Sequence, residues 1–232
     1  MQSLGSGYRA LVIGASGGIG SAVVDVLRAD ADCGGVACLS RASHPGFDLA
    51  DAGSIRAAAA DLSGEGPFSL IFDATGALEI DGHGPEKSLR AVDADVMARQ
   101  FAVNAIGPAL LLQQFLPHLA RDRRALVATL SARVGSIGDN RLGGWISYRA
   151  SKAALNQIVR TVAVEVARTH PQAVIAALHP GTVATSLSDR FAGSRERFSP
   201  QQSAGLLLSV LDGLQPVSSG GFFAYDGSVI DW

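Results

Sequence analysis

Lysine is nearly absent from this chain. Of its 19 basic residues only Lys87 and Lys152 are lysines, and all the rest are arginine. Cysteine is equally scarce. Cys33 and Cys38 flank the tetrapeptide "GGVA", a gap that suits neither a zinc site nor a redox pair, and nothing else supplies ligands. Both are expected to be ordinary thiols in a reducing compartment, and no metal is expected. No long apolar run exists. The stretch Ala109–Leu116 is short and interrupted by two glutamines, which excludes a membrane span. The N-terminus runs from Met1 straight into glycines without a signal pattern, so a cytoplasmic protein is expected. The net charge of −2 argues against general nucleic-acid binding, and the densest basic cluster, Arg121–Arg124, reads as a solvated turn.

What the chain does have is apolar content. At 232 residues, 47% hydrophobic and 17% charged, it suits one large α/β domain over residues 1–232 with a sizeable core. No repeat, low-complexity tract or linker divides it. Apolar runs that read as buried strands occur at Tyr8–Gly14, Gly35–Ser40, Phe68–Thr75, Ala125–Ser131 and Ala173–His179, with a last one in "GGFFAYDG". Between them lie stretches with helical spacing. The longest run over 93–119, with a bend expected at Gly107–Pro108, and over 145–169, ended by His170–Pro171. A further helix opens at Ser199 with Pro200 in its first turn. Alternating strands and helices predict parallel strands with crossover helices, hence a Rossmann-type doubly wound sheet of about seven strands. One place breaks the pattern. Only seven residues separate Ser40 from Asp48, too few for a crossover of a dozen or more. A third strand near Phe47 is therefore expected to be stunted, or its preceding helix lost.

The turn between the first strand and the first helix reads "GASGGIG". Gly14, Gly18 and Gly20 let the backbone approach a phosphate closely, with Ser16 and Ile19 in the same turn. The following helix N-terminus offers free N–H groups to a pyrophosphate. Strand before and helix after make this a candidate dinucleotide site. At the end of the second strand stand Ser40 and Arg41, with no acidic residue to hold a free ribose 2′-hydroxyl. Arg41 there suits a 2′-phosphate, so NADP(H) is expected over NAD(H). Further on, "YRASK" sets Tyr148 and Lys152 four residues apart, on one face of a helix. A lysine kept in an arginine-rich chain offers a compact charge with a tunable pKa.

The segments "GASGGIG", "FDLAD", "DATG", "VNAIGP", "YRASK" and "HPGTVAT" occur in that order. Together they resemble the short-chain dehydrogenases/reductases over essentially the whole chain. "ARVGSIGDNRLGGWISYRASKAALN" and "GGFFAYDG" are most similar to the C-factor subgroup, whose namesake is linked to bacterial cell–cell signalling. The resemblance implies roles at matching positions. Asp48 and Leu49 would border the adenine. Asp73, Ala74, Thr75 and Gly76 would replace the family's Asn-Asn-Ala-Gly behind the cofactor, with both asparagines missing. Asn104 would hold a water in a proton relay. Pro180, Gly181, Val183 and Thr185 would hold the nicotinamide end. Tyr148 and Lys152 would be the acid/base pair, the ammonium lowering a phenol pKa of about 10, and Lys152 would also hold ribose hydroxyls. The family forms dimers and tetramers, which implies a homodimer or homotetramer here.

One position departs from the pattern. The family's catalytic serine aligns with Ala132, and Ser131 precedes it by one residue. Neighbours on a strand face opposite ways, so three readings stay open. A bulge brings Ser131 to the site; Ser136 or a backbone N–H binds the substrate oxygen instead; or the chain binds dinucleotide and catalyses poorly. Ser131 is taken as the stand-in. The irregular segment 182–199, with Arg190, Arg195 and Arg197, would act as a substrate flap. His44 and His118 fall in loops and His179 at a strand end, with no role assigned. The expectation is an NADP(H)-dependent oxidoreductase interconverting a small-molecule carbonyl and its alcohol. The alternative is a dinucleotide-binding signalling or sensor protein with little turnover.

Overall fold

The computed structural model describes residues 1–185 and 197–232. In chain order the strands are β1 Tyr8–Ile13, β2 Cys33–Leu39, β3 Leu70–Asp73, β4 Ala125–Leu130, β5 Ala173–His179 and β6 Phe222–Ala224. The helices are α1 Gly18–Ala29, α2 Ala52–Asp61, α3 Ala94–Phe101, α4 Gly107–Phe115, α5 Ile146–Val166 and α6 Pro200–Gly213. All strand pairs are parallel, in the order β2-β1-β3-β4-β5-β6. The order reverses direction at β1, and the C-terminal edge beside that switch is where such sheets bind ligands.

Alternating strand residues build two cores, one on each sheet face. Leu11, Ile13, Ile71 and Val127 meet Ile55, Leu111, Phe115, Leu155 and Val159, so α2, α4 and α5 cover one side. Ala10, Val12, Phe72 and Leu126 meet Val23, Leu27, Leu207 and Leu211, so α1 and α6 cover the other.

The sheet has six strands among the described residues, where about seven were expected. The seven-residue link is too short for both a helix and a strand. It forms turns closed by Ser43, whose hydroxyl donates to the Cys38 carbonyl and accepts from Ser40 N–H. Both the third strand and its preceding helix are gone, and β2 becomes the sheet edge. Phe47 still enters the core beside Leu39 and Ile55.

The helical run over 93–119 is also more articulated than its periodicity predicts. Between α3 and α4 lies a π turn, Ala102–Ile106, ahead of the expected bend. Pro108 has no N–H to give the Asn104 carbonyl in the usual i→i+4 pattern, and Asn104 sits in the widened turn. Gly107 is needed there: a Cβ would stand 2.7 Å from the Leu49 carbonyl oxygen. Cys33 and Cys38 are both free thiols. No helix among the described residues is long and apolar enough to cross a membrane.

Candidate active site

The C-terminal ends of the central strands are level. Ile13 pairs with both Leu39 and Asp73, and Asp73 with Thr129. The glycine turn rises from this edge. Gly14 and Ala15 N–H groups donate to the Leu39 carbonyl at 2.8 and 3.2 Å, which ties the turn to the end of β2. Gly14 has φ of +79°, and a Cβ on Gly20 would lie 2.1 Å from the Gly14 carbonyl oxygen. A Cβ on Gly18 would lie 2.6 Å from the Thr185 methyl. These are close approaches that other residues would block. Helix α1 is preceded by Gly17, which offers no side-chain cap, so its first N–H groups remain available to an anion. Ser16 and Gly18 are exposed at this turn and Ile19 is half-buried.

Around the turn stand the other expected cofactor contacts. Arg41 is exposed just beyond β2 and has no ion pair among the described residues, while Ser40 is buried. The Asp48 carboxylate caps Ala50 N–H, and Leu49 packs against Gly107. Ala74 N–H donates to the Ile13 carbonyl at 2.8 Å, and Thr75 closes onto Asp73 Oδ1 through its N–H and hydroxyl at 2.9 and 2.6 Å. Gly76 has φ of +144°, and a Cβ there would stand 3.1 Å from Lys152 Nζ.

Asn104 is fully buried, and its amide is engaged rather than open. Its Oδ1 accepts from Ala77 N–H at 2.8 Å and its Nδ2 donates to the Ala77 carbonyl at 2.7 Å. This two-point clamp fixes the chain leaving β3 to the π turn. On α5, the buried Lys152 ammonium donates to the Leu130 carbonyl at 3.0 Å. An ammonium has three donors, so the residues described leave part of its demand open to a ligand. Burial pushes Lys152 down to about 8, opposed by the Asp73 carboxylate. Burial raises the Asp73 carboxyl above its usual range, and its Oδ2 has no partner among the described residues. Tyr148 is buried one turn before Lys152 and is pushed up to about 12 by burial. Burial disfavours the charged phenolate, and so acts against the lowering expected from a neighbouring ammonium.

Tyr148 lines a cavity of about 330 Å³, whose wall also includes Leu78, Ala132, Trp145, His179 and Val183. The structure separates Ser131 from this wall. Ser131 Oγ donates to Asn156 Oδ1 on α5 at 2.6 Å, and it is Ala132 that faces the cavity. No bulge intervenes, and strand alternation carries the serine away. Ser136 is buried and accepts from Asp139 N–H at 3.1 Å, also off the cavity wall. Pro180 is held by Ser203, whose hydroxyl donates to its carbonyl, and a Cβ on Gly181, at φ of +76°, would stand 2.9 Å from the Phe198 ring and 3.0 Å from that of Tyr225. The two described ends of the expected flap pair with each other, Ala184 N–H to Phe198 O and Phe198 N–H to Thr182 O, both at 2.9 Å. Arg190, Arg195 and the rest of 186–196 lie outside the described residues.

Several wall residues carry no signal in the sequence. Trp145 adopts φ of +55° immediately before α5 and meets Tyr148 edge-on, centroids 6.2 Å apart. It is set there by Glu86: Trp145 N–H donates to the Glu86 carbonyl, and the Glu86 carboxylate binds the Ser147 hydroxyl and N–H at the helix start. A buried glutamate remote in sequence could not be foreseen as that cap. His179, to which no role was assigned, lines the cavity as a neutral imidazole. Burial pushes it down to about 4, and its Nδ1 accepts from Arg133 N–H.

With this geometry in hand, comparison with known proteins places the chain. The short chain dehydrogenase family profile matches residues 8–195, and the chain belongs to that family; it is an oxidoreductase of the short-chain type. It is 32% identical over 232 residues to a 1-hydroxy-2-glutathionyl-2-methyl-3-butene dehydrogenase of a Rhodococcus strain, covering 96% of this chain and 98% of that one. It is 37% identical over 146 residues to the C-signal of Myxococcus xanthus, covering 62% of this chain and 84% of that one. Among solved structures, the NADPH-bound carbonyl reductase from chicken fatty liver superposes with a TM-score of 0.81 at 30% identity, over 98% of this chain and all of that one, 100%.

Proposed function

We propose that the protein is an NADP(H)-dependent reductase of a small-molecule carbonyl, with Tyr148 as its acid/base. The observation that carries this is the juxtaposition at one sheet edge: a buried Tyr148 on a cavity wall, Lys152 one turn behind it, and a glycine turn too tight for a Cβ at Gly18 and Gly20. The residues present fit the dinucleotide. Gly14, Ser16, Gly18, Ile19 and Gly20 would hold the pyrophosphate, Ser40 and Arg41 the ribose phosphate, and Asp48 and Leu49 the adenine end. Ala74, Thr75 and Gly76 would lie behind it, Lys152 would take the ribose hydroxyls, and Pro180, Gly181, Val183 and Thr185 the nicotinamide end. Bound there, the nicotinamide supplies the hydride.

The chain's own part is proton delivery. A phenol is protonated at neutral pH, the form that donates to a developing alkoxide. Lys152 steadies the phenolate left behind. With the Asn104 side chain spent on Ala77, a relay water would rest on the Asn104 main-chain carbonyl. The resemblance supports NADPH over NADH through Arg41, a cytoplasmic location and a homodimer or homotetramer.

A second reading has an observation of its own: Ala132 stands on the cavity wall where the family has a serine. This favours a dinucleotide-binding sensor with little turnover. NADPH absorbance followed across a panel of aldehydes and ketones separates the two. Consumption with any of them supports the reductase, and tight NADPH binding with no consumption supports the sensor.

A further inference from the structure

The charged residues described on the cavity wall are mostly cationic. Arg133, Arg141 and Arg149 line it, and Asp139 is the one carboxylate among its described lining residues. His179, neutral at physiological pH, adds no charge. The three guanidinium groups are used differently. Arg133 pairs with Asp139 at 3.5 Å, with both side chains about half exposed at 47%. Arg149 spends its donors on main-chain carbonyls, those of Gly144, Val134 and Gly143, at 2.9 to 3.3 Å. It thereby fixes the loop that presents Arg141 and Leu142 to the cavity. Arg141 has no hydrogen bond or ion pair among the described residues, and Leu142 beside it is 84% exposed. Among the described residues, a chain with net charge −2 therefore gathers more positive than negative charge around its candidate catalytic cavity, next to an uncovered apolar side chain.

Resting on the reductase reading above, we propose that the substrate is an amphipathic carbonyl compound with a carboxylate at its far end. Its reacting carbonyl lies against Tyr148, its apolar stem against Leu78, Val134, Leu142 and Trp145, and its carboxylate on Arg141. A guanidinium matches a carboxylate with two parallel hydrogen bonds, and the loop that carries it is already pinned by Arg149. Arg141 is a specificity-determining residue and takes no part in the proton transfer.

The test uses the NADPH-loaded protein with para-carboxybenzaldehyde and para-formylcinnamate, each beside its methyl ester. At least one acid is expected to exceed its ester in kcat/KM by about tenfold or more, the worth of a charge-assisted hydrogen bond. Arg141→Gln is expected to remove that preference by raising KM for the acid, with Arg141→Lys retaining part of it. Equal kcat/KM for both acids and their esters, or an acid preference unchanged in Arg141→Gln, overturns the proposal. Calorimetry of para-carboxybenzyl alcohol binding to the NADP-loaded protein is the second readout. Binding that is lost in Arg141→Gln, with no aldehyde turned over, upholds the carboxylate site and overturns the reductase reading. Neither binding nor turnover overturns both.

Discussion

Ser131 gives its hydroxyl hydrogen to Asn156, 2.6 Å away on α5, and so braces β4 against that helix instead of facing the cavity. Ser131→Ala is expected to cost about 1–3 kcal/mol of stability, since it leaves the buried Asn156 oxygen without that partner, while kcat falls less than about tenfold. Ala132→Ser, which puts a hydroxyl on the cavity wall, is expected to raise kcat up to about tenfold. Denaturant midpoints and steady-state rates on the two variants check both halves. A large kcat loss in Ser131→Ala at unchanged stability would return that serine to catalysis.

The glycine turn makes a sharper structural prediction. In Gly20→Ala the new methyl would meet the Gly14 carbonyl oxygen 2.1 Å away, and backbone cannot yield as a flexible side chain can. A stability loss of about 1–3 kcal/mol is expected, together with NADPH binding weakened at least about tenfold. Gly64→Ala, where nothing lies within 4 Å, is the control. Fluorescence titration with NADPH compares the two.

Lys152 gives a pH dependence of known sign. Burial holds it at about 8, against 10.5 in its ordinary state. Between those values the unfolded chain binds more protons than the folded one, so this residue's contribution makes stability rise with pH. Below pH 8 both states are protonated and the whole cost of burying the ammonium is present. Lys152→Met is therefore expected to be more stable than the wild type at pH 8, with its advantage shrinking by about 2 kcal/mol on going to pH 10. Urea unfolding of both proteins across that window measures it. A constant difference would mean the ammonium is not desolvated.

Arg41→Glu addresses cofactor choice. It is expected to raise KM for NADPH by about tenfold or more and to change KM for NADH far less, because only NADPH brings a phosphate to that side chain. Steady-state rates with each cofactor decide it, and equal effects would contradict the NADP(H) assignment.

Much of this architecture is legible from local pattern. Short β-branched runs and 3.6-residue spacing give the order of strands and helices, and the glycine turn marks which sheet end binds a ligand. The spacing of Tyr148 and Lys152 gives their shared face directly. What escapes depends on contacts remote in sequence. The missing third strand shows only as a length, seven residues, without saying what fills it. The π turn holds Asn104, whose side chain clamps Ala77, 27 residues earlier. Trp145 in a left-handed conformation needs Glu86, and nothing near either residue announces the other. Ser131 shows a subtler limit: its hydroxyl is the expected chemical group, but one residue's offset turns it to Asn156 and leaves Ala132 on the cavity wall.

The central claim is that Tyr148 delivers the proton while other residues hold the cofactor. The most direct measurement is the single-turnover rate of NADPH oxidation by Tyr148→Phe beside the wild type, on any carbonyl the wild type reduces, with the NADPH Kd measured on both. A rate lowered at least about a hundredfold with an unchanged Kd is the predicted result. A Tyr148→Phe variant that oxidises NADPH as fast as the wild type would contradict it.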